Sequence, residues 1–400
     1  MSRPQFPVPT TIIYTHEDGI EDVFVRYEEI GYGGFSIVYR TVLQSSNKTY
    51  AMKVISKKYA KSKGKLAIKE VKNEMKIQKK LYHPNIVRSK LSFSDDDNYY
   101  IILEYCPGKS IREYLRKSKN GYLTENETRK ILRDVVRGLV FLHNNNIVHH
   151  DIKLENFVIG LKGKVKIADF GLSTHLKDED QKQYLAGGTT NYLSPEIIQK
   201  KEHSFKVDIW AIGISAFVML TGKAPFDSPQ KETIYEKILS CRYKFPSNII
   251  ISEEAKNFIT STLQIDPKNR PTAHDLSNHP FLTKIDEEDV KLFDPVQLIK
   301  EKVHSSQLPQ KVVPTKSIQS CPKFHANRAM SPLLSNKDQD LNATLKNLNF
   351  YSPARSFPRR LLATSTMKTI NSDEDNEVHK KPNYIKCCNI YGLHKISPFC

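Results

Sequence analysis

His149-His150-Asp151-Ile152-Lys153-Leu154-Glu155-Asn156 is followed, after a strand-like run, by Ala168-Asp169-Phe170-Gly171. These stretches hold the residue types needed to activate a hydroxyl beside a hard divalent cation. Asp151 is a carboxylate that can orient a hydroxyl and accept its proton, and Lys153 is a cation beside it. Asn156 and Asp169 supply oxygen ligands of the kind that Mg²⁺ prefers. Each residue alone is a common surface residue; their order and spacing give them weight.

Upstream, β-rich runs at residues 24–30, 36–42 and 50–56 are broken by glycines and by Ser45-Ser46-Asn47, the pattern of an antiparallel sheet. Residues 66–81 read as a helix. Two further strands follow at residues 87–93 and 99–104, with Asp95-Asp96-Asp97-Asn98 as their turn. Beyond Cys106-Pro107-Gly108 the period becomes helical, as in residues 125–144 and 207–220. The expected class is α+β: a small antiparallel β lobe with one key helix, then a larger helical lobe. After His279-Pro280-Phe281-Leu282 the apolar period fades into Ser, Asn, Pro, Lys and Gln. The expected organisation is an N-terminal extension (1–23), one domain (24–282) and a mostly disordered tail (283–400).

Four hundred residues with 39% hydrophobic content suffice for one large two-lobed core. No run of eighteen apolar residues occurs, and Met1-Ser2-Arg3-Pro4 offers neither a signal peptide nor a myristoylated glycine. A cytoplasmic chain without a membrane partner is expected. The six cysteines are spaced too irregularly for a zinc site and read as free thiols. The formal charge of +17 raises a nucleic-acid reading. The lysines, however, are spread along the chain, with one cluster at Lys57, Lys58, Lys61, Lys63 and Lys65, and Arg359-Arg360 is the only arginine pair. No nucleic-acid partner is expected.

Gly31-Tyr32-Gly33-Gly34-Phe35-Ser36-Ile37-Val38 lies between two expected strands, where glycines let a hairpin close over phosphates with its N–H groups facing the oxygens. Lys53, in Ala51-Met52-Lys53-Val54, falls on the third strand and can neutralise phosphate charge. Glu74 lies on the 66–81 helix, where its carboxylate can hold Lys53 in aim. Glu70 competes for that role, but Glu74 is preferred because Met75 and Ile77 mark its side as the inner face. With these residues in place, Lys153 can balance charge on a moving phosphoryl group.

The chain resembles the eukaryotic protein kinase family over about residues 24–282. The resemblance implies a two-lobed protein kinase fold, ATP and Mg²⁺ as cofactors, and serine/threonine residues of proteins as substrates. It implies catalytic roles for Lys53, Glu74, Asp151 and Lys153, and metal binding by Asn156 and Asp169. Nucleotide would lie against Ile30, Gly31, Gly33, Gly34, Val38 and Ala51 above and Val158 below. Leu103 would be the gatekeeper, with the Glu104 carbonyl and Cys106 amide facing adenine. Gly188-Thr189 and Ser194-Pro195-Glu196 resemble the end of an activation segment, Glu196 pairing with Arg270, while Asp208 resembles the residue that braces the catalytic loop. Lys153 with Thr189 resembles the serine/threonine pattern. The alternatives are a nucleotide-binding scaffold of pseudokinase type and an active kinase with calcium/calmodulin-kinase-like taste for basic substrates.

Gly33-Gly34-Phe35, Leu103-Glu104-Tyr105-Cys106 and His203-Ser204-Phe205-Lys206-Val207-Asp208 are similar to the polo-like subfamily, which implies cell-cycle, centrosome or basal-body work in cytoplasm or nucleus. Three positions depart from it. His150 stands where most such kinases carry an arginine that receives the activation-loop phosphate. Leu185 stands where polo-like kinases carry the activating threonine, with Tyr184, Thr189 and Thr190 as the hydroxyls nearby. Together these imply activity without phosphorylation there, a site shifted to one of those hydroxyls being the alternative. Glu155 replaces a small residue and resembles a selector of basic substrate residues. Residues 384–393 are similar to the opening of a first polo box, but too short to supply its strands, so no phosphopeptide docking is expected.

Overall fold

Two periodicities divide the molecule: two residues per repeat up to Glu104, interrupted by one helical stretch, and mostly helical after it. The computed structural model describes residues 4–34, 36–177 and 189–285, Lys65 through its backbone alone. Strands β1 (Thr11–Thr15), β2 (Glu21–Tyr32), β3 (Ser36–Leu43), β4 (Lys48–Ser56), β5 (Ser89–Ser94) and β6 (Asn98–Glu104) form one sheet in the order β1-β2-β3-β4-β6-β5. Every neighbouring pair is antiparallel. Ile37, Tyr39, Tyr50, Met52, Val54, Tyr100 and Ile102 alternate onto one face and are buried with Phe24 and Ile12, and Phe6 and Val8 pack against them. The other face follows the register Val38↔Lys53↔Ile101 and Ala51↔Leu103 and carries Lys53.

The N-terminal extension therefore contributes a strand that the sequence reading did not anticipate. Its Ile12 is 5% exposed. A second addition is the short helix α1 (Lys57–Ser62), capped by Ser56, whose hydroxyl accepts the Tyr59 N–H. It carries Lys57, Lys58 and Lys61 of the lysine cluster, and Lys57 Nζ reaches the Asp95 carbonyl. Helix α2 (Lys65–Gln78) stops three residues before the expected end. Its last turn tightens as Lys80 N–H bonds the Ile77 carbonyl and Leu81 N–H that of Gln78, and Leu81 stays buried in the turn before His83-Pro84.

The second lobe comprises α3 (Ile111–Lys117), α4 (Glu125–Asn144), the short strands β7 (Ile147–Val148), β8 (Phe157–Ile159), β9 (Val165–Ile167) and β10 (Thr174–His175), then α5 (Pro195–Ile198), α6 (Lys206–Thr221), α7 (Lys231–Leu239), α8 (Glu253–Thr262), α9 (Ala273–Ser277) and α10 (Pro280–Thr283). Helix α4 starts at a capping box: Thr124 Oγ1 accepts the Glu127 N–H, and the Glu127 carboxylate accepts the Thr124 N–H. Helix α6 is apolar on all sides and buried from Val207 to Thr221, as befits a central helix. It approaches α8 so closely that a Cβ on Gly213 would lie 2.1 Å from Thr262 Oγ1. Beneath, Arg270 grips Glu196 in a buried bidentate pair, Nη1 to Oε1 at 2.6 Å and Nη2 to Oε2 at 2.8 Å. The small antiparallel sheet lobe and larger helical lobe are those of the protein kinase fold. Among the described residues, no helix is long and apolar enough to cross a membrane.

Candidate active site

Lys53 on β4 reaches across the sheet's inner face to two carboxylates. Its Nζ lies 2.6 Å from Glu74 Oε1 on α2 and 2.8 Å from Asp169 Oδ1, 116 residues along the chain. Glu74 is 3% exposed, while Glu70 is half-buried one turn away and has no bond to Lys53. Burial alone would lower the pKa of the Lys53 ammonium, but Asp169 and Glu74 together raise it above the ordinary lysine value. The Lys53 charge in turn holds the Asp169 carboxyl down at about 2. Lys53 is thus a charged, aimed cation at neutral pH.

The loop at residues 149–156 is pinned by Asp208. Asp208, buried near the start of α6, accepts the His149 and His150 backbone N–H groups at 2.9 Å each, and His143 Nε2 sits 3.0 Å from the same carboxylate. His149 accepts the Asp151 N–H through Nδ1, so Nε2 is the ring nitrogen that donates to the Ala168 carbonyl. Its ring meets Phe170 edge-on at 5.0 Å, and Phe170 is buried. His150 and Asp169 both adopt positive φ, 66° and 63°, a conformation uncommon outside glycine, here enforced by these bonds.

Above the loop, four groups converge. Lys153 Nζ lies 2.6 Å from Asp151 Oδ2 and 2.9 Å from Thr189 Oγ1. The Thr189 hydroxyl donates to Asp151 Oδ1 at 3.2 Å. Asn156 Nδ2 donates to both the Asp151 carbonyl and Oδ2, at 2.8 and 3.0 Å. One Asp151 carboxylate therefore faces a cation, a hydroxyl and an amide within a part-buried cleft.

A divalent cation is tested by its donors. With Asn156 Nδ2 occupied by Asp151, its Oδ1 remains an acceptor, and Asp169 has Oδ1 on Lys53 with Oδ2 left over. Among the described residues no cluster of three or more His, Cys, Asp and Glu side chains could hold a metal. Two hard oxygens fit Mg²⁺, which takes few protein ligands and completes its shell with phosphate and water.

The sheet register sets Gly31 opposite Val38 and Val38 opposite Lys53 on adjacent strands. Ala51 faces Leu103 across β4 and β6, and Ile30 is exposed near the end of β2. Gly33 donates its N–H to the Ser36 carbonyl at 2.8 Å, closing the hairpin tip; Phe35 lies outside the described residues. Glu104 is tied by its carboxylate to Lys166 at 3.0 Å, and burial pushes the Cys106 thiol up to about 12, leaving it unreactive. Val158 on β8 bridges Ser110. Tyr184, Leu185 and residues 384–393 lie outside the described residues.

Two departures acquire geometry. His150 is buried, its Nε2 is 2.8 Å from Thr174 Oγ1, and burial drives its pKa down to about 4 against the pull of Asp208. It is neutral at physiological pH. Glu155 is paired within the chain: Arg112 Nε donates to its Oε1 at 2.9 Å, and Arg112 Nη2 also reaches Tyr192 Oη at 3.4 Å. The carboxylate expected to attract a basic substrate residue is thus shared with a cation of its own chain. Sequence reasoning missed Arg112, which on α3 carries no local signal.

The profile of the protein kinase domain matches residues 24–282. The chain belongs to the protein kinase family. Within it, the chain is similar to polo-like serine/threonine kinases. It is 37% identical over 266 residues to "Serine/threonine-protein kinase PLK4" of Nematostella vectensis, covering 66% of this chain and 27% of that one. It is 36% identical over 262 residues to "Serine/threonine-protein kinase polo" of Drosophila melanogaster, covering 65% and 44%. It is 35% identical over 269 residues to "Probable serine/threonine-protein kinase CCRP1" of Zea mays, covering 66% and 42%. The kinase domain thus spans less than half the length of these curated relatives.

Proposed function

We propose that this chain transfers the γ-phosphoryl group of ATP to serine and threonine hydroxyls of protein substrates. The observation that carries the reading is the convergence of Lys153, Thr189 and Asn156 on the Asp151 carboxylate. Asp151 orients the incoming hydroxyl and accepts its proton as the new oxygen–phosphorus bond forms and the bond to the β–γ bridging oxygen breaks, releasing ADP. Lys153 offsets negative charge gathering on the transferred group, and Lys53, steadied by Glu74, fixes the remaining phosphates. Asn156 and Asp169 would hold Mg²⁺, which when bound neutralises phosphate charge. Thr189, bonded to both Lys153 and Asp151, favours aliphatic hydroxyl acceptors.

His150 supports activity without a phosphate at position 185, because a neutral imidazole committed to Thr174 cannot make the bidentate pair of an arginine. Glu155, engaged by Arg112, supports a weak preference for basic residues in substrates. The polo-like resemblance supports a cell-cycle, centrosome or basal-body setting. The test is phosphoamino-acid analysis after transfer of labelled γ-phosphate to casein by the full chain. Label on serine and threonine is expected; label confined to tyrosine, or none with Mg²⁺-ATP bound, would overturn the reading.

A further inference from the structure

Between the His83-Pro84-Asn85 turn and α4, a groove of about 310 Å³ is lined by that turn and by Arg137, Val140, Lys164 and Ser277. Its charge is unbalanced. Arg137 and Lys164 each stand 3.7 Å from the same Asp134 oxygen, and both are more than half exposed, whereas Asp134 is buried and spends its other oxygen on the Val165 N–H. One buried carboxylate therefore serves two cations. His83 adds a donor: its Nδ1 accepts the Asn85 N–H, its ring stacks on Phe141, and burial together with the fields of Lys166 and Arg137 keeps it neutral, leaving Nε2–H for a ligand. Such a groove takes an anionic segment.

The described chain ends beside it. After α10, Arg133 bonds the carbonyls of Leu282 and Lys284, and Arg133 lies one helical turn before Arg137 on α4. The next residues after Ile285 are Asp286-Glu287-Glu288-Asp289. One turn of helix is roughly 5–6 Å, and three to four extended residues span roughly 10–14 Å. The acidic run thus begins within reach of Arg137 and Lys164, and tethering at such short range gives it a local concentration on the order of millimolar or more.

We propose that this groove is the docking site of Asp286-Glu287-Glu288-Asp289 of the same chain, with carboxylates on Arg137 and Lys164. The consequence concerns α2. The groove's other wall is the turn at His83-Pro84-Asn85, which follows α2 and is already tied to β9 through Asn85 Nδ2 to the Val165 carbonyl and the Ile167 N–H to the Asn85 carbonyl, 2.9 Å each. A docked acidic run joins the end of the domain to the turn that anchors the helix carrying Glu74.

The test is zero-length carbodiimide cross-linking of the purified full chain, mapped by mass spectrometry. Lys164 to Asp134 is the internal control. A dominant cross-link from Lys164 to the 286–289 segment is expected, within one molecule when labelled and unlabelled chains are mixed. Arg137→Glu, at an exposed position, should lower its yield about fivefold, the scale of one exposed ion pair, while leaving the circular dichroism spectrum and Tm unchanged. Replacement of all four acidic residues by Asn and Gln should slow no hydrogen exchange and speed that of residues 83–87. Cross-links from Lys164 to Asp134 alone, to Asp373-Glu374-Asp375, or between two molecules would each overturn the proposal.

Discussion

Arg112 on α3 and Glu155 in the catalytic loop form an ion pair 2.9 Å long across 43 residues of sequence. In the proposed function Glu155 attracts a basic substrate residue, and the pair with Arg112 half-neutralises that acidic group. Both side chains are part-exposed, so the pair is worth on the order of 1 kcal/mol or less. Arg112→Ala should therefore raise selection for basic residues several-fold on a degenerate peptide array. Identical profiles for wild type and variant would show that Glu155 plays no part in selection.

Glu74 is buried against Lys53, so Glu74→Gln removes the charge that aims the ammonium while Asp169 keeps its own bond. Misaligned phosphates cost on the order of 10²-fold in rate, and we expect a loss of that order in kcat/KM. Glu70→Gln should stay within a factor of about two to three of wild type, the range of a surface change within roughly 0.5 kcal/mol. Equal losses in the two variants would contradict the assignment of Glu74.

Ile12 on β1 is buried against the sheet's outer cluster beside Phe24 and Tyr50. Ile12→Ala should cost about 2–4 kcal/mol, read as a Tm lower by about 5–15 °C at roughly 2–4 °C per kcal/mol for a domain of this size. An unchanged Tm would mean that the N-terminal strand adds nothing to the lobe.

His150 has a folded pKa of about 4, below its unfolded value. Between roughly pH 4 and 6.5 the unfolded chain binds a proton at this position that the folded chain does not. Its contribution is therefore fully present above about pH 6.5 and is lost as pH falls toward 4, by up to about 3 kcal/mol. His150→Gln should flatten the acid limb of stability against pH; a limb as steep as that of wild type would contradict this.

The side chains gathered at Asp151 were legible because each sits in a short contiguous motif whose neighbours fix its spacing, as in Asp151 to Asn156. Glu74 was legible from the apolar neighbours Met75 and Ile77 that mark its helix face. Strand β1 was not, because Pro4, Pro7 and Pro9 precede its five residues and its burial depends on Phe24 and Tyr50, far along the chain. Arg112 reads as one more surface charge until folding brings α3 to Glu155. The groove at Arg137 and Lys164 was equally silent, since its cations come from a helix and a turn with no shared motif.

The most direct test compares the dephosphorylated full chain with its Asp151→Asn variant in Mg²⁺-ATP phosphate transfer to casein, alongside nucleotide binding. We predict measurable transfer by the wild type, a fall of about 10²–10⁴-fold in the variant, and equal nucleotide affinity in both. Equal transfer by the two proteins, or no transfer by a wild type that binds nucleotide, would contradict a kinase whose Asp151 is the base and whose His150 dispenses with a loop phosphate.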